Sequence, residues 1–160
     1  MVTGLKPRGF AWVIQDLLAV SERIGGHGVQ HRRVRREEEV AWLKQRGINA
    51  VLSLLDGNQN LRSYQGAGFR THHSPLPLEM EPEDVEQVFA AIDEALAPPE
   101  TILLVHRDLV DDTVAGILAG YLLHSELLED PIMATAVVQE IVGRPLGPEG
   151  RRLIPDPQTG

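Results

Sequence analysis

The sequence predicts an α/β protein, and three stretches carry the prediction. Residues 101–123, TILLVHRDLVDDTVAGILAGYLL, pass from a short aliphatic block through a polar loop into a long apolar block rich in small residues. That order reads as strand, loop and helix. Residues 36–46 place Val40 and Leu43 at helical spacing, with Gly47 as the stop, and the apolar run NAVLSLL at 49–55 follows at once. A helix leading through Gly-Ile into such a run is a common connection in parallel α/β sheets. Residues 83–96 place Val85, Val88, Phe89, Ile92 and Leu96 on one stripe, opposed by Glu86, Gln87, Asp93 and Glu94, which predicts an amphipathic helix.

The remaining elements fall around these. Residues 10–14, FAWVI, and 17–20 are short β-type runs that predict an opening hairpin. Gly25-Gly26-His27-Gly28 is a turn; it lacks the lysine and Ser/Thr that follow a nucleotide-binding glycine loop. The basic run at 31–36, HRRVRR, is met by Glu37-Glu38-Glu39, the pattern of an exposed loop neutralised by the next helical turn. Asp56-Gly57-Asn58 ends the strand at 49–55, and residues 60–65 suit a short helix. Residues 69–73 alternate as a strand, and Pro75 and Pro77 force an extended segment after it. Pro98-Pro99 separates the amphipathic helix from the central strand. Asp130 and Pro131 predict a capped helix start, running to Val142 and stopped by Gly143. A last short helix is expected at 148–154. The segments at 1–8 and 155–160 read as a lead-in and a frayed tail around one domain at 9–154.

Composition narrows the chemistry. A chain of 160 residues with 42% hydrophobic content can bury a real core. There is no cysteine, which removes disulfides, zinc–thiolate sites and any thiolate nucleophile. The formal net charge is -8, so neither nucleic acid nor an anionic membrane surface is an expected partner. No apolar stretch approaches the ~20 residues of a membrane span. The N-terminus lacks the apolar centre and cleavage site of a signal peptide, so a cytoplasmic location is the expectation. Among His27, His72, His73 and His106 no pair has the i, i+4 helical spacing of a known metal motif, and neither metal nor other cofactor is expected. Trp12 and Trp42 are expected to pack in or against the core.

The central segment resembles the signature of cysteine-dependent protein tyrosine and dual-specificity phosphatases, V-H-C-x-x-G-x-x-R-[ST]-G, followed by a helix of the type A-x-Y-L-L. Val105 and His106 fall on V-H, and Ala119 to Leu123 fall on the helix. The resemblance extends over residues 9–154. It includes Leu18-Ala19-Val20-Ser21-Glu22-Arg23-Ile24-Gly25, the stretches at 37–43 and 47–54, His72-His73-Ser74-Pro75-Leu76-Pro77, and Gly143-Arg144-Pro145. It implies a single-domain dual-specificity phosphatase-like fold, with a mixed sheet of four to five strands and helices on both faces.

The same resemblance implies a phosphate loop at His106, Arg107, Asp108, Leu109, Val110, Asp111, Asp112 and Thr113, but the chemistry-bearing types are changed. Arg107 stands at the nucleophilic cysteine, Val110 at the loop glycine and Thr113 at the phosphate-binding arginine. Val114 stands at the Ser/Thr and Ala115 at the last glycine. Leu78 occupies the general-acid position, with Glu79 and Glu81 nearby, and Gly150 falls near the late glutamine that positions water. A guanidinium cannot attack phosphorus. Val110 resists the positive φ that an N–H cradle needs. Three aspartates at a helix N-terminus suit the helix dipole and repel a phosphate dianion. Asp112 is therefore expected to cap the helix in place of substrate. Arg107 is expected either to pair with Asp108 or Asp111 or to stand as a solvated loop charge. His106 is expected to be structural, bonded to nearby backbone.

These readings favour a non-catalytic phosphatase-fold protein, a pseudophosphatase serving as a binding or regulatory module for a protein partner. Two alternatives stand beside it. One is a hydrolase with reassigned, metal-assisted chemistry at Asp108, Asp111 or Asp112. The other is a sensor that binds a phospho-ligand without turnover.

Overall fold

The structure, a computed structural model, describes residues 3–57 and 60–155. Its centre is a five-stranded sheet in the order β1-β2-β5-β3-β4. The strands are β1 (Ala11–Ile14), β2 (Leu18–Ser21), β3 (Ala50–Ser53), β4 (Arg70–His73) and β5 (Leu103–His106). Only β1 is antiparallel to its neighbour; β2, β5, β3 and β4 run parallel. This is the mixed sheet the sequence predicts, and its opening hairpin is present.

Among the described residues six α-helices cover it: α1 (Arg33–Gln45), α2 (Leu61–Gly66), α3 (Pro82–Leu96), α4 (Asp112–His124), α5 (Pro131–Val142) and α6 (Pro148–Arg151). The pleat divides β5 between two cores. Leu103 and Val105 join the larger core with Val85, Phe89, Ile92, Val114, Ile117 and Leu118 of α3 and α4. Leu104 faces the smaller one with Leu43 of α1 and Tyr64 of α2. Alternation along a strand places His106 on the same side as Leu104, under α2, and its ring lies edge-on to Tyr64 with centroids 5.7 Å apart.

Local chemistry sets most boundaries as expected. The α3 stripe is buried at Val85, Val88, Phe89 and Ile92, with Ala95 rather than Leu96 as its fully buried end. Asp130 caps α5 through the Ile132 N–H, Pro131 fills the first turn, and Gly143 ends the helix in a left-handed conformation with φ 76°. Helix α6 is shorter than expected, since the chain turns away after Arg151.

Most of the basic run, residues 33–36, is helix rather than loop. Helix α1 begins at Arg33, so the arginines occupy its first turns, and they are neutralised within it: Arg33 meets Glu37 at 3.1 Å and Arg35 meets Glu39 at 2.7 Å. Arginines at a helix N-terminus oppose the dipole. Glu39 explains why they are tolerated. It is buried at 1% exposure, and its other oxygen accepts the Gly25 N–H at 2.8 Å. Gly25 and Gly26 hold φ near 90° and carry no side chain because Arg36, His31 and Arg35 crowd them. The lead-in is tied down as well, with the Gly4 N–H on the Glu38 carboxylate at 2.7 Å and the Leu5 N–H on the Glu38 carbonyl. The expected strand-ending Asn58 and the tail from residue 156 lie outside the described residues. Among the described residues no helix is long and apolar enough to cross a membrane.

Candidate functional site

In a parallel sheet the crevice beyond the carboxyl ends of the strands is where ligands bind. Here that edge gathers the loops after β5 (107–111), β3 (from 54) and β4 (74–81). The loop after β5 is the centre, because α4 starts from it and points its free N–H groups back at it.

Asp111 caps α4. Its backbone is extended at φ −88° and ψ −174°, and its Oδ1 accepts the Val114 N–H at 2.9 Å. Its Oδ2 accepts from the Arg107 guanidinium at 3.3 Å, so one carboxylate closes the loop in both directions. Asp112, expected as the cap, is the first helical residue and does something else. Its Oδ1 accepts the Gly147 N–H and its Oδ2 the Gly150 N–H, each at 2.6 Å. The cap passes to Asp111 because the capping residue must have extended backbone angles, and Asp112 already lies in the helix.

The third aspartate is also engaged. Asp108 lies 3.8 Å from Arg23, and its carbonyl oxygen accepts the Arg23 N–H at 3.3 Å. With its amide oxygen turned toward Arg23, Asn60 accepts from Arg23 Nε at 3.0 Å and from NH2 at 2.9 Å. Arg144 donates to the Val110 carbonyl oxygen. The loop is thus pinned by Arg23, Arg107 and Arg144. The sequence resemblance contains Arg23 and Arg144, but nothing in their spacing assigns them to this loop; both contacts are long-range.

His106 departs from expectation. Its side chain is wholly buried, yet neither ring nitrogen makes a well-formed hydrogen bond among the described residues, the Arg107 backbone offering only a weak contact. Burial pushes its pKa down to about 4, against a smaller opposing pull from the Arg107 backbone and with the Arg23 charge adding to the fall. The ring is a neutral, desolvated group at pH 7. The Tyr64 hydroxyl above it is also buried with no well-formed hydrogen bond, and burial pushes it up to about 12 against a smaller lowering pull from Asn60.

The remaining positions frame the mouth. Thr113 is partly buried in the first turn of α4. Leu109 is exposed on the loop, and Leu78, at the acid position, is fully exposed on the segment after β4. His73 bonds the Leu55 carbonyl oxygen at 2.6 Å. Among the described residues no three His, Asp or Glu side chains converge as metal donors.

At Gly150, where the resemblance places the water-positioning glutamine, a Cβ would collide with the Asp112 carbonyl oxygen. A Cβ on Gly116 would collide with the backbone of Gly150. The first turns of α4 and the short α6 therefore meet backbone to backbone, and the Asp112 carboxylate fills the space between them.

The architecture is that of the cysteine-dependent protein tyrosine and dual-specificity phosphatases. A kinase-associated phosphatase whose catalytic-site cysteine is replaced by serine superposes with a TM-score of 0.73 over 93% of each chain, at 16% identity. The core catalytic domain of a PP-IP phosphatase from S. cerevisiae gives 0.66 over 98% of this chain and 92% of that one, at 10% identity. Human DUSP28 in a single-substitution form gives 0.63 over 92% and 90%, at 17% identity. No family model matches the sequence, and no curated protein matches it by sequence. The chain shares the phosphatases' fold while carrying Arg107, Thr113 and Leu78 at the positions where the resemblance puts their nucleophile, phosphate clamp and acid.

Proposed function

We propose that this protein is a catalytically inactive phosphatase-fold protein that acts as a binding or regulatory module for a protein partner. The observation that carries the reading is the loop after β5. The whole chain contains no cysteine, so no phosphocysteine can form. At the nucleophile position a guanidinium is held by Asp111, and that carboxylate takes a helix N–H that an incoming phosphoryl oxygen would need. The Asp111 carboxylate therefore stands where a dianion would sit, and Asp108 adds a second negative charge on the same loop. A rigid fold whose loop edge is kept while its chemistry is lost suits recognition, and the exposed Leu78 and Leu109 supply apolar contacts at that edge.

The test is an aryl-phosphate assay with and without magnesium, manganese or zinc. No turnover above background is expected in any condition. Metal-dependent turnover that follows the protein through purification and disappears in Asp111→Asn would replace this reading with reassigned hydrolase chemistry. Saturable binding of phosphotyrosine without turnover would replace it with a phospho-ligand sensor.

A further inference from the structure

At the opposite end of α4, about 18 Å from the loop by the helical rise over its 13 residues, the surface opens into a groove of about 640 Å³. Its apolar lining is Leu123, Leu128 and Pro155, with the buried Phe89 beneath them. Its charged lining is Glu86, Glu126 and Glu129, with no lysine or arginine. None of the three glutamates has an ion-pair partner among the described residues. His124, the other polar lining residue, is bonded to Asp93 at 2.7 Å.

Glu126 is the telling residue. It follows α4 directly, with φ 64°, in the left-handed position that glycine ordinarily takes. It also puts a negative charge at the negative end of the helix dipole, where cations are favoured. Backbone and dipole both oppose a glutamate here, and among the described residues no cation pairs with it. An apolar trough rimmed by unpaired carboxylates is complementary to a chain segment that carries both cations and aliphatic side chains.

We propose that this groove docks a short peptide segment of a partner protein in which arginine or lysine alternates with aliphatic residues. The net charge of -8 would steer such a segment toward the protein. The chain's own residues 156–160, Asp-Pro-Gln-Thr-Gly, bring no cation and no large apolar group to it. The proposal names a contact surface separate from the loop, so its failure leaves the reading of the loop to the phosphatase assay.

The experiment is fluorescence anisotropy with a labelled peptide of alternating arginine and leucine, titrated with the full chain at two salt concentrations. A matched glutamate–leucine peptide is the control. Binding of the arginine peptide alone is expected, weakening as salt rises. The triple variant Glu86→Gln, Glu126→Gln, Glu129→Gln should weaken it by about tenfold or more, the scale of lost charge complementarity at a partly desolvated site. The triple variant Asp16→Asn, Glu100→Gln, Glu140→Gln removes the same charge elsewhere and should bind like wild type. Equal loss in both variants would reduce the effect to bulk charge and overturn the proposal. So would absence of binding, or binding seen only after residues 156–160 are deleted, which would assign the groove to the chain's own tail.

Discussion

The Asp112 carboxylate and the Gly150 N–H meet at 2.6 Å, and the contact exists because residue 150 has no side chain. Asp112 holds Gly147 with its other oxygen, so one carboxylate fastens α6 to the start of α4. Gly150→Ala should therefore lower stability by about 1–3 kcal/mol, the usual result of forcing an extra carbon into a close-packed contact. Asp112→Ala should cost about 3 kcal/mol by stranding two N–H donors. The two losses should fall short of additive in the double variant, since they break one contact. Thermal melts of the three variants check this, and full additivity would show that the residues act separately.

The loop chemistry yields a second expectation. Arg107→Cys alone should not produce an aryl phosphatase, because Thr113 offers no bidentate clamp, Val110 opposes the cradle's backbone and Leu78 is not an acid. Catalytic groups that work as a unit give little when restored singly. A burst of aryl alcohol from Arg107→Cys at neutral pH, absent from Arg107→Ser, would show that the loop still forms a cradle.

His106 gives the protein a pH dependence whose sign can be worked out. Its folded pKa is lowered from 6.5 to about 4, chiefly by burial. Above pH 6.5 the ring is neutral folded and unfolded, and it adds no slope. Between 6.5 and 4 the unfolded chain binds a proton that the folded one does not, so stability falls as pH falls, by about 3 kcal/mol in all. Below 4 this contribution is flat. Asp93 adds a loss further down. Burial pushes its pKa up, but hydrogen bonds from His124 and Tyr121 outweigh that and hold it below the ordinary carboxylate value. Denaturant titrations from pH 7 to 4 should show the decline, and His106→Leu should flatten it. Because the ring nitrogens make no well-formed hydrogen bond, His106→Leu should cost little at pH 7. A loss there above about 3 kcal/mol would reveal a polar partner for the ring, since breaking a satisfied buried hydrogen-bonding group is the expensive case.

Much of this was readable beforehand, and the failures have a common cause. The strand, loop and helix at 101–123, the α3 stripe and the Asp130–Pro131 start depend on neighbours a few residues away, and sequence carries such information. The choice between Asp111 and Asp112 as cap does not. Two adjacent aspartates are equivalent locally, and what separates them is Gly147 and Gly150, 35 and 38 residues on. The early start of α1 against its dipole depends likewise on Glu39 reaching Gly25. The isolation of the His106 ring depends on what the pleat puts above it. Arg23 was visible as part of a motif, while its grip on Asp108 and Asn60 is a property of the folded chain. The residue types at 107, 110, 113 and 78 were legible because they belong to the sequence itself.

Asp111 carries the last prediction. Its carboxylate serves the Val114 N–H and the Arg107 guanidinium together, at the N-terminus of α4. Asp111→Ala should lower stability by about 1 kcal/mol, the usual cost of a lost cap. The ion pair adds little to that, because Arg107 and Asp111 are both partly exposed. The variant should also gain something, since a vacant helix N-terminus beside an unpaired guanidinium attracts anions. Phosphate at millimolar concentration should raise the melting temperature of Asp111→Ala more than that of wild type, with chloride at equal ionic strength as the control. Comparison with wild type under the same salts removes the general stabilising effect of phosphate on burial. Wild type should show no saturable response, because its own carboxylate already occupies the Val114 N–H and the Arg107 guanidinium. A saturable, phosphate-specific rise in wild type would mean that the loop opens to a ligand, and the binding-module reading would give way to a phospho-ligand sensor.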